Sequence, residues 1–311
     1  MAITLKQLHY FVALAETGGF GTAAQAVHVS QPALSAQIRD LETHLGAPLV
    51  DRLPRTIRLT RRGQEVLARA RRILAEVGDL EQAVRWHDGL SGRLHLGVIP
   101  TVAPYLLPDV LTRIRARDLT LDIRVREAQT DALVEALGRG QIDAAILALP
   151  VPAPGFEAIP FLSDRFLLAG SEQRLQTWAH QAARLSPHDL VPEQLLLLDE
   201  GHCLADQALE VCGIPARRQV DLGASSLSTL CGLVSEGFGL TLLPELAVRT
   251  EAAAARGLRL MRFAAPEPQR DLALVHRGGG DGAWAADLAG LLRDAGSTLV
   301  ARARDLVPVA P

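Results

Sequence analysis

The stretch FGTAAQAVHVSQPALSAQIRDLETHLG, residues 20–46, decides the fold of the N-terminal part of the chain. Its first half predicts a short helix. Ser30 then predicts the start of a second helix, because its hydroxyl can accept a hydrogen bond from a free backbone amide, and Pro32 is tolerated in a first turn that needs no amide hydrogen. Gly46 ends this helix. Its apolar side chains recur at helical spacing and predict one buried stripe: Leu34, Ile38, Leu41 and Leu45.

A further helix precedes this pair. Residues 4–16 form an amphipathic pattern that the glycines at 18–19 interrupt. A short helix, a tight turn and a capped longer helix together predict a helix-turn-helix. The start and polar face of the longer helix carry side chains suited to base edges and phosphates. We therefore expect DNA contacts from Ser30, Gln31, Pro32, Ser35, Gln37 and Arg39. A plain three-helix packing unit with a solvated polar face is the alternative interpretation.

Arginine is concentrated directly after this unit. Residues 52–72 contain eight arginines and one acid, Glu65, so the local charge is +7 in a chain whose net charge is −3. The segment RTIRLT alternates like a short strand and predicts a wing beside the helix-turn-helix. Concentrated cations next to a recognition helix supply salt-dependent affinity for phosphate. The predicted DNA-binding surface therefore also includes Arg52, Arg55 and Arg58.

A long helix is predicted from about residue 61 to residue 86. Apolar side chains lie along one side of it: Val66, Ile73, Leu74, Val77 and Leu80. An apolar stripe on a linking helix usually needs a partner, so we expect a dimer. A dimer would read a two-fold related DNA site.

The composition of the whole chain excludes several classes of protein. Its 311 residues, 48% of them apolar, suit two or three domains. The net charge of −3 argues against a general polyanion binder. Three cysteines are too few for a secreted disulfide framework, and no run of about 18 apolar residues predicts a membrane span. We expect a cytoplasmic protein that is not embedded in a membrane.

Beyond residue 91 the pattern changes to alternating strands and helices. Nine apolar runs predict strands at 93–99, 120–127, 143–149, 166–170, 194–198, 217–222, 239–243, 258–263 and 271–276. Helical patterns lie between them. This alternation predicts an α/β fold with largely parallel sheets. Nine strands in this length of chain also suggest two subdomains with a cleft between them.

The stretch DEGHCLADQALEVC, residues 199–212, holds two of the three cysteines. If Cys203 to Cys212 formed one helix, nine residues would separate the two Cα atoms by about 13.5 Å and place the thiols on opposite sides. A disulfide needs Cα atoms within about 7 Å. The two sulfurs therefore cannot bond unless the segment between them unwinds. That geometry is more typical of a cysteine pair that acts as a redox switch than of a permanent structural disulfide.

Cys203 stands where this helix would begin, a position that favours a thiolate. His202 can donate a hydrogen bond or a proton, and Asp206 can orient or charge its imidazole. Cys212 follows apolar residues and is predicted to be a buried resolving partner. Two unreactive, half-buried cysteines are the alternative, and a zinc site would need more ligands than this segment provides. Cys231 is most simply a small core residue.

One motif narrows these alternatives. The pattern A-A-x-x-x-x-V-S-Q-P-A-L-S-x-Q-I-x-x-L-E-x-x-L-G, which begins at Ala23, is highly specific and resembles the N-terminal domain of LysR-type transcriptional regulators. The resemblance implies an all-α winged helix-turn-helix with a long linker helix, followed by an α/β periplasmic-binding-protein-like domain of two subdomains. The implied domains are 1–60 for DNA binding, 61–90 for the linker and dimerisation helix, and 91–305 for regulation. Subdomain I would take about 91–163 and 268–305, and subdomain II about 164–267.

The segment GHCLADQALEVC more narrowly resembles the redox segment of the peroxide-sensing activators in this family. GVIPTVAPYLLP, REAQT, ILAL and GLTLLPELAV do so too, so the resemblance covers essentially the whole chain. It implies that Cys203 is the peroxidatic cysteine and Cys212 the resolving one. It also implies that hydrogen peroxide is bound by Thr101, Thr130, His202 and Arg270. One departure is Ala205, where these activators often have an arginine, and this puts the sensitivity of the switch in doubt.

The sequence-based hypothesis is that the protein is a DNA-binding activator of antioxidant genes and not an enzyme. In this activator, formation of a Cys203–Cys212 disulfide would remodel residues 199–215. Expected partners are double-stranded promoter DNA, hydrogen peroxide, RNA polymerase and further copies of the chain, as a dimer through 61–88 and, by the resemblance, a tetramer. No metal or other cofactor is expected. Three rivals stay open: a regulator of this family that binds a small molecule in the cleft and has inert cysteines, a thiol peroxidase, and a metal-dependent repressor. No peroxiredoxin-like P-x-x-x-[TS]-x-x-C precedes Cys203.

Overall fold

A computed structural model describes residues 2–53, 56–85, 92–151, 155–179, 185–199, 201–213, 220–278 and 282–308. The chain divides into an N-terminal unit, which comprises residues 1–84 together with 138–141, and a C-terminal unit, which comprises residues 85–137 and 142–311. In the described part of the chain, no helix combines the length and the apolar character that crossing a bilayer requires.

The described residues of the N-terminal unit form four helices and one hairpin. The helices are α1 (Leu5–Thr17), α2 (Phe20–Ala26), α3 (Gln31–Leu45) and α4 (Arg61–Arg85). The hairpin pairs β1 (Val50–Arg52) with β2 (Ile57–Leu59) in antiparallel register. The predicted helix-turn-helix, wing and long helix are therefore present, while residue 86, the predicted end of the long helix, lies outside the described residues.

Local capping sets the limits of α3. The Ser30 hydroxyl accepts a hydrogen bond from the backbone amide of Ala33 at 3.4 Å, and Gly46 follows the helix in the left-handed conformation, with φ of 66°. Leu34, Ile38 and Leu41 are fully buried, as the stripe predicts. Leu45 is the exception: it is exposed, because the last turn of α3 extends beyond the core.

The C-terminal unit alternates strands and helices. Its strands are β3 (Arg93–Val98), β4 (Asp122–Glu127), β5 (Ala144–Ala148), β6 (Phe156–Ser171), β7 (Leu196–Leu198), β8 (Val220–Ala224), β9 (Leu240–Pro244), β10 (Leu258–Met261) and β11 (Gln269–Arg277). Its helices are α5 (Ala103–Arg117), α6 (Thr130–Gly138), α7 (Glu172–Ala179), α8 (Cys203–Cys212), α9 (Leu227–Ser235), α10 (Glu245–Ala254) and α11 (Ala283–Leu306).

The principal sheet is mixed, and the prediction of largely parallel sheets is wrong. Its order is β10-β6-β11-β5-β3-β4, and β9 also pairs with β6. Strand β3 is parallel to β4 and β5, whereas β11 and β6 are antiparallel to each of their partners. The reason is that β11, which follows β5 and β6 by about a hundred residues, lies between them in the sheet and runs opposite to both. The alternation of strands and helices along the chain carries no information on this long-range pairing.

Strand β6 is much longer than the predicted run at 166–170. Its first part, up to Arg165, pairs with β11, and from Phe166 onwards it pairs with β9 and, over its last residues, with β10. The first part is interrupted by a proline and by charged residues, so it shows no apolar run. The change of partner lies close to the predicted limits of the two subdomains, which stay a prediction.

Candidate functional site

Three loops of the C-terminal unit converge on one crevice. They follow β3, precede α6 and precede α8, so two of them lie at the carboxyl ends of the parallel strands β3 and β4, where α/β sheets commonly bind ligands. The crevice is lined by Ile99, Pro100, Thr101, Gln129, Thr130, Gly201, His202 and Cys203. Three of the four predicted peroxide-binding residues and the predicted peroxidatic cysteine therefore lie together. No water-sized molecule fits inside unless a side chain moves.

Cys203 occupies the first position of α8, as predicted. It is half-buried and free, and the residue before it, His202, forms the N-terminal boundary of the helix in an extended conformation. Gly201 adopts φ of 90°, which favours glycine, and a Cβ there would lie 2.6 Å from the Gln129 side-chain oxygen. The sulfur thus lies at the positive end of a helix dipole.

Two residues that line the crevice with Cys203 each bury a polar atom without a partner. Among the described residues, Thr130 Oγ1 and His202 Nδ1 make no hydrogen bond. Buried polar groups in native proteins nearly always have a hydrogen-bond partner, so an unpaired buried atom is unusual and needs an explanation. A polar ligand in the crevice would supply the missing hydrogen bonds to both atoms.

Arg270 is placed differently from the other predicted site residues. It is buried but does not line the crevice; instead it donates to the Thr101 hydroxyl at 2.9 Å and to the Thr101 carbonyl at 3.2 Å. Its guanidinium also donates twice to Asp164 Oδ2, at 3.0 and 2.9 Å, and both side chains are fully buried. Arg270 therefore reaches the crevice through Thr101.

The contact predicted between Asp206 and His202 is absent. Asp206 is exposed, it does not line the crevice, and within the described residues neither a hydrogen bond nor an ion pair joins the two side chains. Spacing of four residues brings side chains together only when both residues are helical. His202 precedes the helix with ψ of 111°, so its ring does not lie above Asp206.

Cys212 ends the same helix in the protein core. It is buried, and burial raises the pKa of its thiol to about 11. The helix is continuous from Cys203 to Cys212, so the Cα atoms are about 13.5 Å apart, and both cysteines are free. Cys231 is also buried, as predicted, and burial together with Glu251 raises its pKa to about 12.

Sequence reasoning missed two contributors to the site. Asp164 has no motif of its own, because it stands in the polar part of β6 where no strand was predicted. Gly201 could have been noticed, since a glycine before a helix start often marks a left-handed backbone. Ala205 is buried within α8, so an arginine there would have to reach solvent from a buried position. The described residues contain no group of three His, Cys, Asp or Glu side chains arranged to hold a metal ion.

The predicted DNA-binding residues surround the start of α3 and the hairpin of the N-terminal unit. Ser30, Gln31, Pro32 and Arg39 are exposed, and Ser35 and Gln37 are half-buried. Arg52 lies over the Phe20 ring at 4.8 Å and contacts the Ser35 hydroxyl at 3.4 Å. Arg58 is exposed and pairs with Asp51, and Arg55 lies outside the described residues. The DNA contacts themselves stay a prediction.

Comparison with known proteins gives the same family for both parts of the chain. Residues 5–64 match the bacterial regulatory helix-turn-helix protein family of lysR type, and residues 87–297 match the LysR substrate binding domain. The chain is 40% identical over 279 residues to the DNA-binding transcriptional dual regulator OxyR of Escherichia coli strain K12, which covers 89% of this chain and 90% of that protein.

Solved structures resemble this chain over nearly its whole length, among them two OxyR variants. A full-length OxyR cysteine-to-aspartate variant from Pseudomonas aeruginosa has a TM-score of 0.73 and 30% identity, covering 94% of this chain and 97% of that one. An OxyR cysteine-to-serine mutant from Corynebacterium glutamicum with hydrogen peroxide bound has a TM-score of 0.66 and 33% identity, covering 100% and 98%. The predicted fold class is confirmed. The chain belongs to the LysR family of DNA-binding transcription regulators, and among them it resembles the OxyR proteins.

Proposed function

We propose that this chain senses hydrogen peroxide through Cys203 and, once oxidised, activates antioxidant genes. The observation that carries the proposal is the crevice. It brings the sulfur of Cys203 at a helix N-terminus together with two buried polar atoms that lack partners, Thr130 Oγ1 and His202 Nδ1. The similar OxyR mutant from Corynebacterium glutamicum, which binds hydrogen peroxide, further supports the proposal.

The first chemical step uses the residues of the crevice. The Cys203 thiolate attacks one oxygen of the peroxide, an S–O bond forms, the O–O bond breaks, and the second oxygen leaves as hydroxide. The sulfur becomes a sulfenic acid. Thr101 and Thr130 align the peroxide, and His202 stabilises or protonates the departing oxygen. Because the crevice is closed in this conformation, access of peroxide to the sulfur requires a small shift of the lining side chains.

The second step converts oxidation into a change of shape. The sulfenic acid of Cys203 condenses with the Cys212 thiol, which releases water and forms a disulfide. The helix that separates the two sulfurs must unwind first, because its length exceeds the reach of a disulfide. The backbone is expected to change conformation over residues 199–215. Of this segment, the structure describes residue 199 and residues 201–213. A slow cycle of this kind suits a regulator better than a peroxidase with rapid turnover.

The N-terminal unit binds the promoter DNA in this proposal. We assign promoter contacts to the start of α3 and the hairpin, with Arg52 and Arg58 providing phosphate affinity. Dimerisation through 61–88 is supported by Ile73 and Leu80 of α4, which are exposed on the isolated chain. Tetramer formation, contact with RNA polymerase and a cytoplasmic location complete the proposal.

The test compares matched cysteine variants of the full-length chain. Reduced protein receives less than one equivalent of hydrogen peroxide, and the thiols are then mapped by mass spectrometry beside a footprint on candidate promoter DNA. We expect a Cys203–Cys212 disulfide and a changed footprint in the native protein and in Cys231→Ser, and neither in Cys203→Ser. An unchanged transcriptional response to peroxide in cells carrying Cys203→Ser would eliminate the proposal in favour of a small-molecule effector.

A further inference from the structure

A buried ion pair supports the wall of the crevice that Thr101 forms. Arg270 and Asp164 have fully buried side chains, and two guanidinium nitrogens of Arg270 donate to the same oxygen, Asp164 Oδ2. The other carboxylate oxygen, Oδ1, accepts from the backbone amide of Leu246 at 3.0 Å. Asp164 is therefore held at both oxygens, by a strand residue on one side and by the first turn of α10 on the other.

This arrangement fixes the direction of the guanidinium. Two of its nitrogens are occupied by Asp164, and the remaining terminal nitrogen, Nη1, donates to Thr101 Oγ1 at 2.9 Å. A guanidinium is planar, so anchoring one edge of it also fixes the opposite edge. The paired carboxylate compensates the positive charge of Arg270 in the same buried space. Arg270 thus affects the crevice through a directed hydrogen bond more than through net charge.

That hydrogen bond determines what the Thr101 hydroxyl can do. A hydroxyl has one proton to donate and lone pairs to accept with, whereas a guanidinium only donates. Because Arg270 occupies a lone pair of Oγ1, the hydroxyl proton is available for a different acceptor. Among the described residues, no protein acceptor for this proton is found, and Thr101 lines the crevice beside Cys203.

We propose that Asp164 is a positioning residue for the peroxide reaction: it orients Arg270 so that the Thr101 hydroxyl donates its proton toward peroxide bound at Cys203. This inference rests on the proposed function. It assigns a role to a residue of β6 that does not touch the crevice, and it predicts that the role is specific to the peroxide step.

The experiment measures two reactions of Cys203 in the reduced, full-length chain. One is oxidation by hydrogen peroxide; the other is alkylation by iodoacetamide, which needs a thiolate and access but no donor for a departing oxygen. Both second-order rate constants are followed against pH and compared on the plateau where Cys203 is fully ionised, which removes any difference in thiolate fraction.

Asp164→Asn keeps the shape of the side chain and removes its charge. We expect its peroxide rate constant to fall by about tenfold to a hundredfold, less than the roughly hundredfold to thousandfold loss when a directed donor is itself removed, because the Thr101 hydroxyl is still present. Its alkylation rate constant should stay within about twofold. Glu245→Gln is the matched control. Glu245 is an equally buried carboxylate of the same unit, but it pairs with Arg262 and Arg304. Both rate constants should stay within about twofold in this variant.

A double variant tests the route through Thr101. If Asp164 acts through that hydroxyl, Asp164→Asn should cause no further loss of peroxide rate in a Thr101→Val background. An additional tenfold loss there would overturn the inference. So would an unchanged peroxide rate in Asp164→Asn, an equal fall of both rate constants, or the same selective fall in Glu245→Gln.

A second variant covers the case in which Asp164→Asn does not fold, as judged by circular dichroism and thermal unfolding. Arg270→Lys keeps a cation beside Asp164, but one ammonium group lacks the fork that joins Asp164 to Thr101. The same selective loss of peroxide rate is expected, and an unchanged rate would overturn the inference. If Cys203 of the native protein does not react with peroxide at all, the proposed function itself is contradicted. If the native protein reacts rapidly and both variants keep that rate, only the positioning role of Asp164 is contradicted.

Discussion

The two ends of α8 place the same thiol group in opposite environments. At the N-terminal end, Cys203 is half-buried, lies at the positive end of the helix dipole and lines a crevice with polar side chains. At the C-terminal end, Cys212 is buried in the apolar core, and its pKa is raised to about 11 by burial. One helix therefore places one sulfur in the wall of a polar crevice and keeps the other protonated in the apolar core.

The difference teaches how a small oxidation can be coupled to a large rearrangement. Between the two cysteines the buried face of α8 consists of Leu204, Ala205, Ala208 and Leu209. Removing each buried leucine from the core costs roughly 2 kcal/mol. The reduced helix thus resists unwinding, and we expect the covalent bond between its ends to offset that cost. Changes at the Cys212 end test whether the core there controls the switch.

The largest effect is expected from Cys212→Ser, which removes the resolving sulfur. Cys203 should still react with peroxide, but no intramolecular disulfide should form, and the sulfenic acid should accumulate and be trapped by dimedone. Mass spectrometry of the trapped protein measures this. Cys231→Ser is the control and should form the disulfide normally. A disulfide between Cys203 and Cys231 in the Cys212→Ser protein would show that the two ends of α8 are not the functional pair.

Leu209→Ala should accelerate the second step. Leu209 is buried close to Cys212, and its truncation is expected to destabilise the docked helix by about 2 kcal/mol or more. Conversion of sulfenic acid to disulfide should become about 30-fold faster, while the first oxidation stays unchanged; stopped-flow oxidation with rapid quenching resolves the two steps. Leu288→Ala, at an equally buried leucine of α11, should leave the second step unaltered. Equal acceleration in both variants would point to general loosening of the unit.

Alkaline pH should weaken the C-terminal unit through Cys212. Below pH 9 both the folded and the unfolded states keep the thiol proton, so stability does not depend on it. Between pH 9.0 and about 11 the unfolded chain loses the proton while the folded chain retains it. The free energy of unfolding should therefore decrease as the pH rises, by about 2 kcal/mol at pH 10.5 from this group.

The measurement for this pH effect is urea unfolding under a reductant at pH 8 and pH 10.5. Cys212→Ala lacks the thiol and should lose about 2 kcal/mol less than the native chain over that interval. Identical losses in the two proteins would mean that the Cys212 end is more accessible to solvent than the structure indicates.

The smallest effect is expected at Gly213, the residue that caps the C-terminus of α8. Gly213 has φ of 64°, and a Cβ there would lie 3.1 Å from His188 Nδ1. Gly213→Ala should cost about 1 kcal/mol and make disulfide formation about fivefold faster, because the last turn that holds Cys212 is weakened. Gly46→Ala is the control: it places the same strain, at φ of 66°, after α3, and it should not alter disulfide formation. Rapid-quench mass spectrometry compares the two, and no difference between them would contradict the prediction.

The fold could be predicted from the sequence to the extent that its signals are local. Ser30 and Gly46 delimit α3, the wing lies at the start of the arginine-rich segment, and α8 begins at Cys203, where a helix start was expected. The antiparallel course of β6 and β11 was missed, because strand direction depends on where a strand finds a partner and not on its own residues. The first part of β6 was also missed, since a strand with polar residues beside another strand needs no apolar run.

The amino-acid sequence by itself determined the chemistry available to this protein: a thiol at a helix start, a histidine before it, and a second thiol too distant to bond without unwinding. Only the tertiary structure decided how that chemistry is arranged. It brought Thr101, Thr130 and His202 into one crevice with Cys203, placed Asp164 and Arg270 behind Thr101, and left Asp206 in solvent. The physical reason is that helical periodicity and capping act over a few residues, whereas a binding crevice is assembled by packing between loops that lie tens of residues apart.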